Sequence, residues 1–287
     1  MLQNRPVLDR ESTPTAPSLN PFPETIVRRR WFLGRLSPLV GLVLPALLLI
    51  LWWYVTEVGH LLPANQLPTP GRVWNTGLQL FNSGELYRHL STSLGRVLTG
   101  FAIGAVIALV LGTLVGLLRP VEKLLDPFLQ ALRNVPSLAW VPFLLLWMGI
   151  DEPPKITLIA IGAFFPVYLN LVSGIRQTDR KLVEVGYIFG LNKFALIYRI
   201  ILPAALPYLL AGLRIGLGQS WLFLVAAELI ASTRGLGFML IDGENSSRPD
   251  IMLVAIITLA VLGKLCDWLL QLAEKWLLRW TDTFKGE

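Results

Sequence analysis

The chain has 287 residues, 54% of them hydrophobic and only 15% charged, with a formal net charge of +6. Soluble domains carry about a quarter of their residues as charge, so this composition excludes an ordinary soluble fold. The basic residues sit between apolar runs rather than on one basic face, which excludes nucleic acid as a partner and points to membrane lipid.

Residues 1–30 are rich in Pro, Ser and Thr and lack apolar periodicity, the composition of a disordered tail. A first span is predicted within residues 31–66, where Leu36–Thr56 is apolar over the roughly 20 residues that cross a ~30 Å hydrocarbon core. It is too long for a cleaved signal and reads as an uncleaved anchor. A core domain is predicted over 67–280, with a C-terminal tail at 281–287. In Leu67-Pro68-Thr69-Pro70 the prolines fix an extended turn. Val73, Trp74, Leu78 and Phe81 then recur at helical spacing, predicting an amphipathic helix on the outer surface. Ser83-Gly84 punctuates it, and a helix from Glu85 leads into the second span.

That span, Val97–Leu118, carries Gly100, Gly104, Ala108, Gly112 and Gly116 every fourth residue, a seam of small side chains for close helix packing. A third span over Asn134–Ile150, extended back toward Asp126, and a fourth over Ile156–Ile175 hold Pro136, Pro142 and Pro166, each able to kink or unwind a helix. The fifth is Ile200–Ala227 and the sixth begins at Ile251–Gly263. It continues through Lys264 and Asp267, three apart on one face and placed to pair. Cys266 has no cysteine partner and reads as a packing residue.

With the N-terminus inside, the inner segments hold sixteen Lys and Arg and the outer ones six, with Arg133, Arg214 and Lys264 in or near spans. This is the positive-inside pattern, with both termini cytoplasmic. It also puts Glu184–Pro203 in the cytoplasm. Asp179 is placed to cap a helix from Arg180 to about Leu191. On it Gly186 and Gly190 are four apart and predict a close-approach face, with Leu182, Val185 and Phe189 as apolar contacts and Glu184 as a polar anchor.

The order Glu184-Val185-Gly186, Gly190, Ile200, Leu202 and Pro203 resembles the signature of permease subunits of binding-protein-dependent ABC importers. Val185 and Gly186 stand where that signature has two alanines. Ser83-Gly84-Glu85-Leu86 with His89-Leu90, Leu132-Arg133-Asn134-Val135-Pro136, Leu146–Glu152 and Gly174-Ile175-Arg176 look like the aliphatic sulfonate branch. The resemblance implies an all-α membrane protein, a six-span permease bundle with a cytoplasmic coupling helix at about 180–195, in a bacterial inner membrane. Glu184, Val185, Gly186, Phe189, Gly190, Leu202 and Pro203 would couple it to cytoplasmic ABC ATPase subunits. Further implied partners are an extracytoplasmic substrate-binding protein and a second copy of the chain. The cargo would be a small organic anion, aliphatic sulfonates first, with taurine, nitrate, cyanate or bicarbonate as alternatives.

No phosphate-loop motif occurs, since Gly263-Lys264 is followed by Leu265, so ATP and magnesium would be used by the partner and the chain itself would be no enzyme and carry no cofactor. Neither a His/Cys cluster for a metal nor a catalytic triad is legible. Candidates for an anion pathway are Arg133, Asn134, Arg214 and Gln219, with Glu228 and Asn170 as further polar groups, because ionisable residues inside spans are functional candidates. A transporter driven by an ion gradient is the rival reading, with Glu228 as its acid.

Overall fold

The computed structural model describes residues 30–280, so the predicted tail at 1–30, Arg30 apart, and the tail at 281–287 lie outside the described residues. The chain divides into two compact units, Met1–Tyr54 and Val55–Glu287. In the first, the described residues form helix α1, Arg30–Trp53. A π turn, Tyr54–Val58, follows it, and the described apolar stretch is Val43–Val58. This is where the first span was predicted.

The second unit opens with α2, Pro70–Asn82. Thr69 caps it, its Oγ1 accepting the Arg72 N–H at 3.3 Å, and Pro70 occupies a first-turn position whose N–H would be unpaired anyway. Its faces are more divided than the periodicity implied. Val73 and Thr76 are buried, whereas Trp74, Leu78 and Phe81 are exposed. A buried carboxylate holds it in place: Asp250, at the start of α11 (Pro249–Leu277), accepts from Thr76 Oγ1 at 2.8 Å, Arg248 Nη2 at 2.8 Å and Arg72 Nη2 at 3.4 Å.

Gly84, at φ 73°, turns the chain into α3, Glu85–Leu117, which packs on α6, Glu152–Arg176. The fourfold seam lies at this contact. A Cβ on Gly100 would meet Ile159 at 2.7 Å, on Gly112 Leu171 at 3.0 Å, on Gly116 Ile175 at 2.7 Å, and on Gly104 the Ala160 carbonyl. A second seam, unread in the sequence, joins α6 to α9, Leu202–Ala231. There Gly174 lies under Tyr208, Gly162 under Phe223 and Gly216 over the Ala163 carbonyl. Helix α6 is therefore clasped from two sides, with 61% of its apolar window buried against 17% for α11. Without a hydrophobic gain between helices in lipid, contact this close supplies the dispersion energy that holds them.

We expect Gly104→Leu to cost about 1–3 kcal/mol through overpacking. Its thermal unfolding midpoint in detergent should fall well below that of Gly95→Ala on the same helix, where a Cβ meets nothing within 4 Å.

The predicted third span is not straight. Helix α4, Arg119–Arg133, ends ahead of Val135-Pro136, a 3-10 turn covers Ser137–Trp140, and α5 runs only Val141–Met148. The two halves meet at 90°. Pro136 lacks the N–H to continue the ladder and pushes Val135 out of helical geometry. Pro166, by contrast, leaves α6 unbroken. After α9, helix α10, Leu236–Asn245, precedes α11 and packs on both. Among the described residues four helices are long and apolar enough to cross a membrane, or five if the bent pair is one span. Among the described residues every regular element is a helix, an all-α membrane fold.

Candidate functional site

Between α6 and α9 the chain leaves the bundle as α7, Arg180–Ile188, then α8, Lys193–Leu196, and a π turn, Ile197–Ile201, running into α9. Asp179 caps α7 as expected, accepting the Lys181 N–H at 2.9 Å, and Asn192 caps α8 by accepting the Ala195 N–H at 2.8 Å.

The two glycines do different work from the shared face the sequence predicts. Gly190 lies beyond the end of α7 at φ +72° and terminates it: its N–H donates to Tyr187, and the Leu191 N–H donates back to Gly186 at 3.0 Å. Only glycine adopts that left-handed geometry without strain. Gly186 points inward, where a Cβ would meet Ile200 Cδ1 at 2.7 Å and Leu196 Cδ1 at 3.2 Å. It lets α7 lie on its own return strand of chain. Leu202 and Pro203, at the start of α9, are half-buried as well.

The outward face is aromatic and aliphatic instead. Ile188, Phe189, Phe194 and Tyr198 are each at least 77% exposed. Glu184 and Val185 share the exposed surface, so of the predicted coupling residues Glu184, Val185, Phe189 and Gly190 are exposed. Phe194 and Tyr198 escaped notice because the capped turn that brings them beside α7 is a tertiary feature.

The segment hangs from stiff supports. Tyr208 on α9 donates to Gln177 Oε1 at 2.8 Å, just past the end of α6, and Tyr168 on α6 donates to Asp126 Oδ1 at 2.8 Å on α4. Arg176 pairs with Glu122 at 3.0 Å and with Asp126 at 3.6 Å. These contacts tie the ends of α6 and α9, the most closely packed pair of helices, to one another and to α4.

The pathway candidates separate. Arg133 ends α4 and Asn134 caps it; both are exposed. Gln219 is half-buried on α9. Arg214 is ion-paired, its Nε donating to Asp267 Oδ1 at 2.6 Å on α11, and the expected Lys264–Asp267 pair forms at 3.4 Å. These residues do not converge on one site in a single copy of the chain.

The most elaborate polar site went unread. Arg96, eleven residues into α3, is 4% exposed and its guanidinium faces two carboxylates. Nη1 donates to Glu228 Oε1 at 2.7 Å, while Nε and Nη2 clasp Glu152 at 2.6 and 2.5 Å. Buried Glu228 also accepts from Ser93 Oγ at 2.8 Å and the Gly237 N–H at 2.7 Å. Ser93 Oγ accepts the Leu236 N–H at 2.8 Å. The turn from α9 into α10 therefore wraps around the Glu228 carboxylate, and side chains on Gly235 or Gly237 would collide with it. This cluster joins α3, α6, α9 and α10. The available signal was a basic and an acidic residue at the ends of two apolar runs, which counting by loops treats as unrelated.

The family described as binding-protein-dependent transport system inner membrane component matches residues 100–279. The chain is 43% identical over 260 residues to a protein of Bacillus subtilis (strain 168) named as an aliphatic sulfonates transport permease, covering 91% of this chain and 94% of that protein. It is 35% identical over 257 residues to the taurine transport system permease protein of Escherichia coli (strain K12), covering 88% and 92%. A chain of the MetNI methionine ABC transporter in an inward-facing conformation superposes with a TM-score of 0.54 at 22% identity, over 69% of this chain and 96% of that one, a likeness of fold.

Proposed function

As the chain belongs to the family of binding-protein-dependent transport system inner membrane components, we propose that it serves an ATP-driven importer of small organic anions, aliphatic sulfonates in first place, with taurine or bicarbonate as alternatives. ATP and magnesium are used by separate cytoplasmic subunits, cargo arrives from an extracytoplasmic binding protein, and two copies of the chain enclose the path. The membrane is the bacterial inner membrane, with both termini in the cytoplasm, as the sixteen-to-six distribution of Lys and Arg supports.

The observation that carries this reading is the exposed row Ile188, Phe189, Phe194 and Tyr198, on the segment strung between α6 and α9. Large apolar side chains on a cytoplasmic projection fit a pocket in a soluble partner. Closure of the paired ATPases on ATP draws the two segments together. The stiff helix ends then carry the motion into the bundle, which opens toward the binding protein, and hydrolysis resets it.

Reconstitution tests the reading. Proteoliposomes holding the chain, its ATPase and the binding protein should take up radiolabelled methanesulfonate only with ATP, and uptake should vanish when the ATPase is omitted. Uptake by the chain alone under a proton or sodium gradient would overturn the proposal and favour the ion-driven transporter.

A further inference from the structure

An ion cluster joins α9 to α11. Asp267 accepts from Arg214 Nε at 2.6 Å and Nη2 at 3.4 Å, from Lys264 Nζ at 3.4 Å and from Gln271 Nε2 at 2.9 Å. Two cations share one carboxylate. Among the described residues Nη1 of Arg214 has no partner, and the Lys264 side chain, 73% exposed, has only Asp267. Glu274, two turns further along α11, is the other acid acting on Arg214, and Lys275 follows it.

Arg214, Lys264 and Asp267 lie within helices apolar enough to span the membrane. Asp267 precedes the end of α11 by ten residues, about 15 Å at 1.5 Å per residue. Lys264 borders a groove whose apolar wall is made by Ile257, Ala260, Val261, Leu265 and Trp268. On helices that span a membrane, spare cationic donors beside an apolar wall are costly unless an anion completes them.

We propose that Arg214 and Lys264 form an oxyanion site, which binds a sulfonate or phosphate group through the guanidinium Nη1 and the free ammonium hydrogens. Where the oxyanion is the cargo, this rests on the reading of the chain as an organic-anion permease; where it is the phosphate of an inner-leaflet lipid, it does not. Asp267 holds the two cations in place and competes with the incoming anion, so binding stays weak enough for release.

The test is a titration of the purified full chain in an uncharged detergent, following the thermal unfolding midpoint. Methanesulfonate and dihexanoylphosphatidylglycerol are the two probes, with chloride as the control. A saturable rise is expected with at least one probe. Its apparent affinity should weaken roughly tenfold in Lys264→Gln, persist in Lys264→Arg and strengthen roughly tenfold in Asp267→Asn. A response to methanesulfonate assigns the site to cargo, and a response to the lipid alone assigns it to a headgroup. A response matched by chloride, no saturable response, or unchanged affinity in Lys264→Gln overturns the site. Failure of the importer reading would appear separately, in ATP-dependent uptake, which this titration does not use.

Discussion

Replacing Phe189 with Asp should abolish co-purification of the ATPase subunit with the permease while leaving the permease's own thermal unfolding unchanged. Phe189 is 80% exposed and Ile188 beside it 82%, so neither contributes to the folded chain's interior. In the proposed complex both are buried in a partner pocket, and an aspartate there would be an unpaired charge taken out of water. Loss of a central apolar anchor alone costs an interface about 2–4 kcal/mol, roughly 30- to 1,000-fold in affinity. Ile188→Asp should behave alike, and ATP-dependent uptake should disappear in both. Gly186→Leu makes the contrast: it too should lose the ATPase, but with a lowered unfolding midpoint, because its side chain would drive α7 off Ile200 and Leu196. Normal ATPase retention by Phe189→Asp in a pull-down would remove the exposed row as the docking face.

Arg96→Ala should be strongly destabilising. It strands the Glu228 carboxylate at 1% exposure, and breaking a buried ion pair from one side costs about 3–5 kcal/mol. Glu228→Gln should be milder, because the amide oxygen still accepts from Ser93 and the Gly237 N–H while Arg96 retains Glu152. Combining the two should cost clearly less than their sum, since neutralising Glu228 removes the charge that Arg96→Ala leaves unpaired. Denaturant unfolding of the four proteins in detergent measures this cycle. Strict additivity would show that the pair is not a coupled unit.

Much of the segment between α6 and α9 was legible because its signals are local. A capping aspartate at 179 and an apolar row on one face depend on residues a turn or two apart, so the helix from Arg180 appears where spacing puts it. The glycines were misread for an equally physical reason. Spacing of four makes a shared helical face only if the helix continues, and the chain ends it at Ile188 so that Gly190 can turn left-handed. In the third span, Pro136 announced a break, yet its 90° angle depends on what α4 and α5 rest against.

By itself the sequence determined the medium, most of the helices and the α3 seam, since apolar length, proline, glycine and capping side chains act within a turn of the chain. It also set apart the segment between α6 and α9 from the apolar helices on either side. Only the tertiary structure decided which of that segment's side chains face outward, that α6 is clasped between two glycine seams, and that Arg96, Glu152 and Glu228 share one buried site. Those partners stand 56 and 132 residues from Arg96 along the chain, and the need of a buried charge for a counter-charge names no position in sequence, only a neighbour in space.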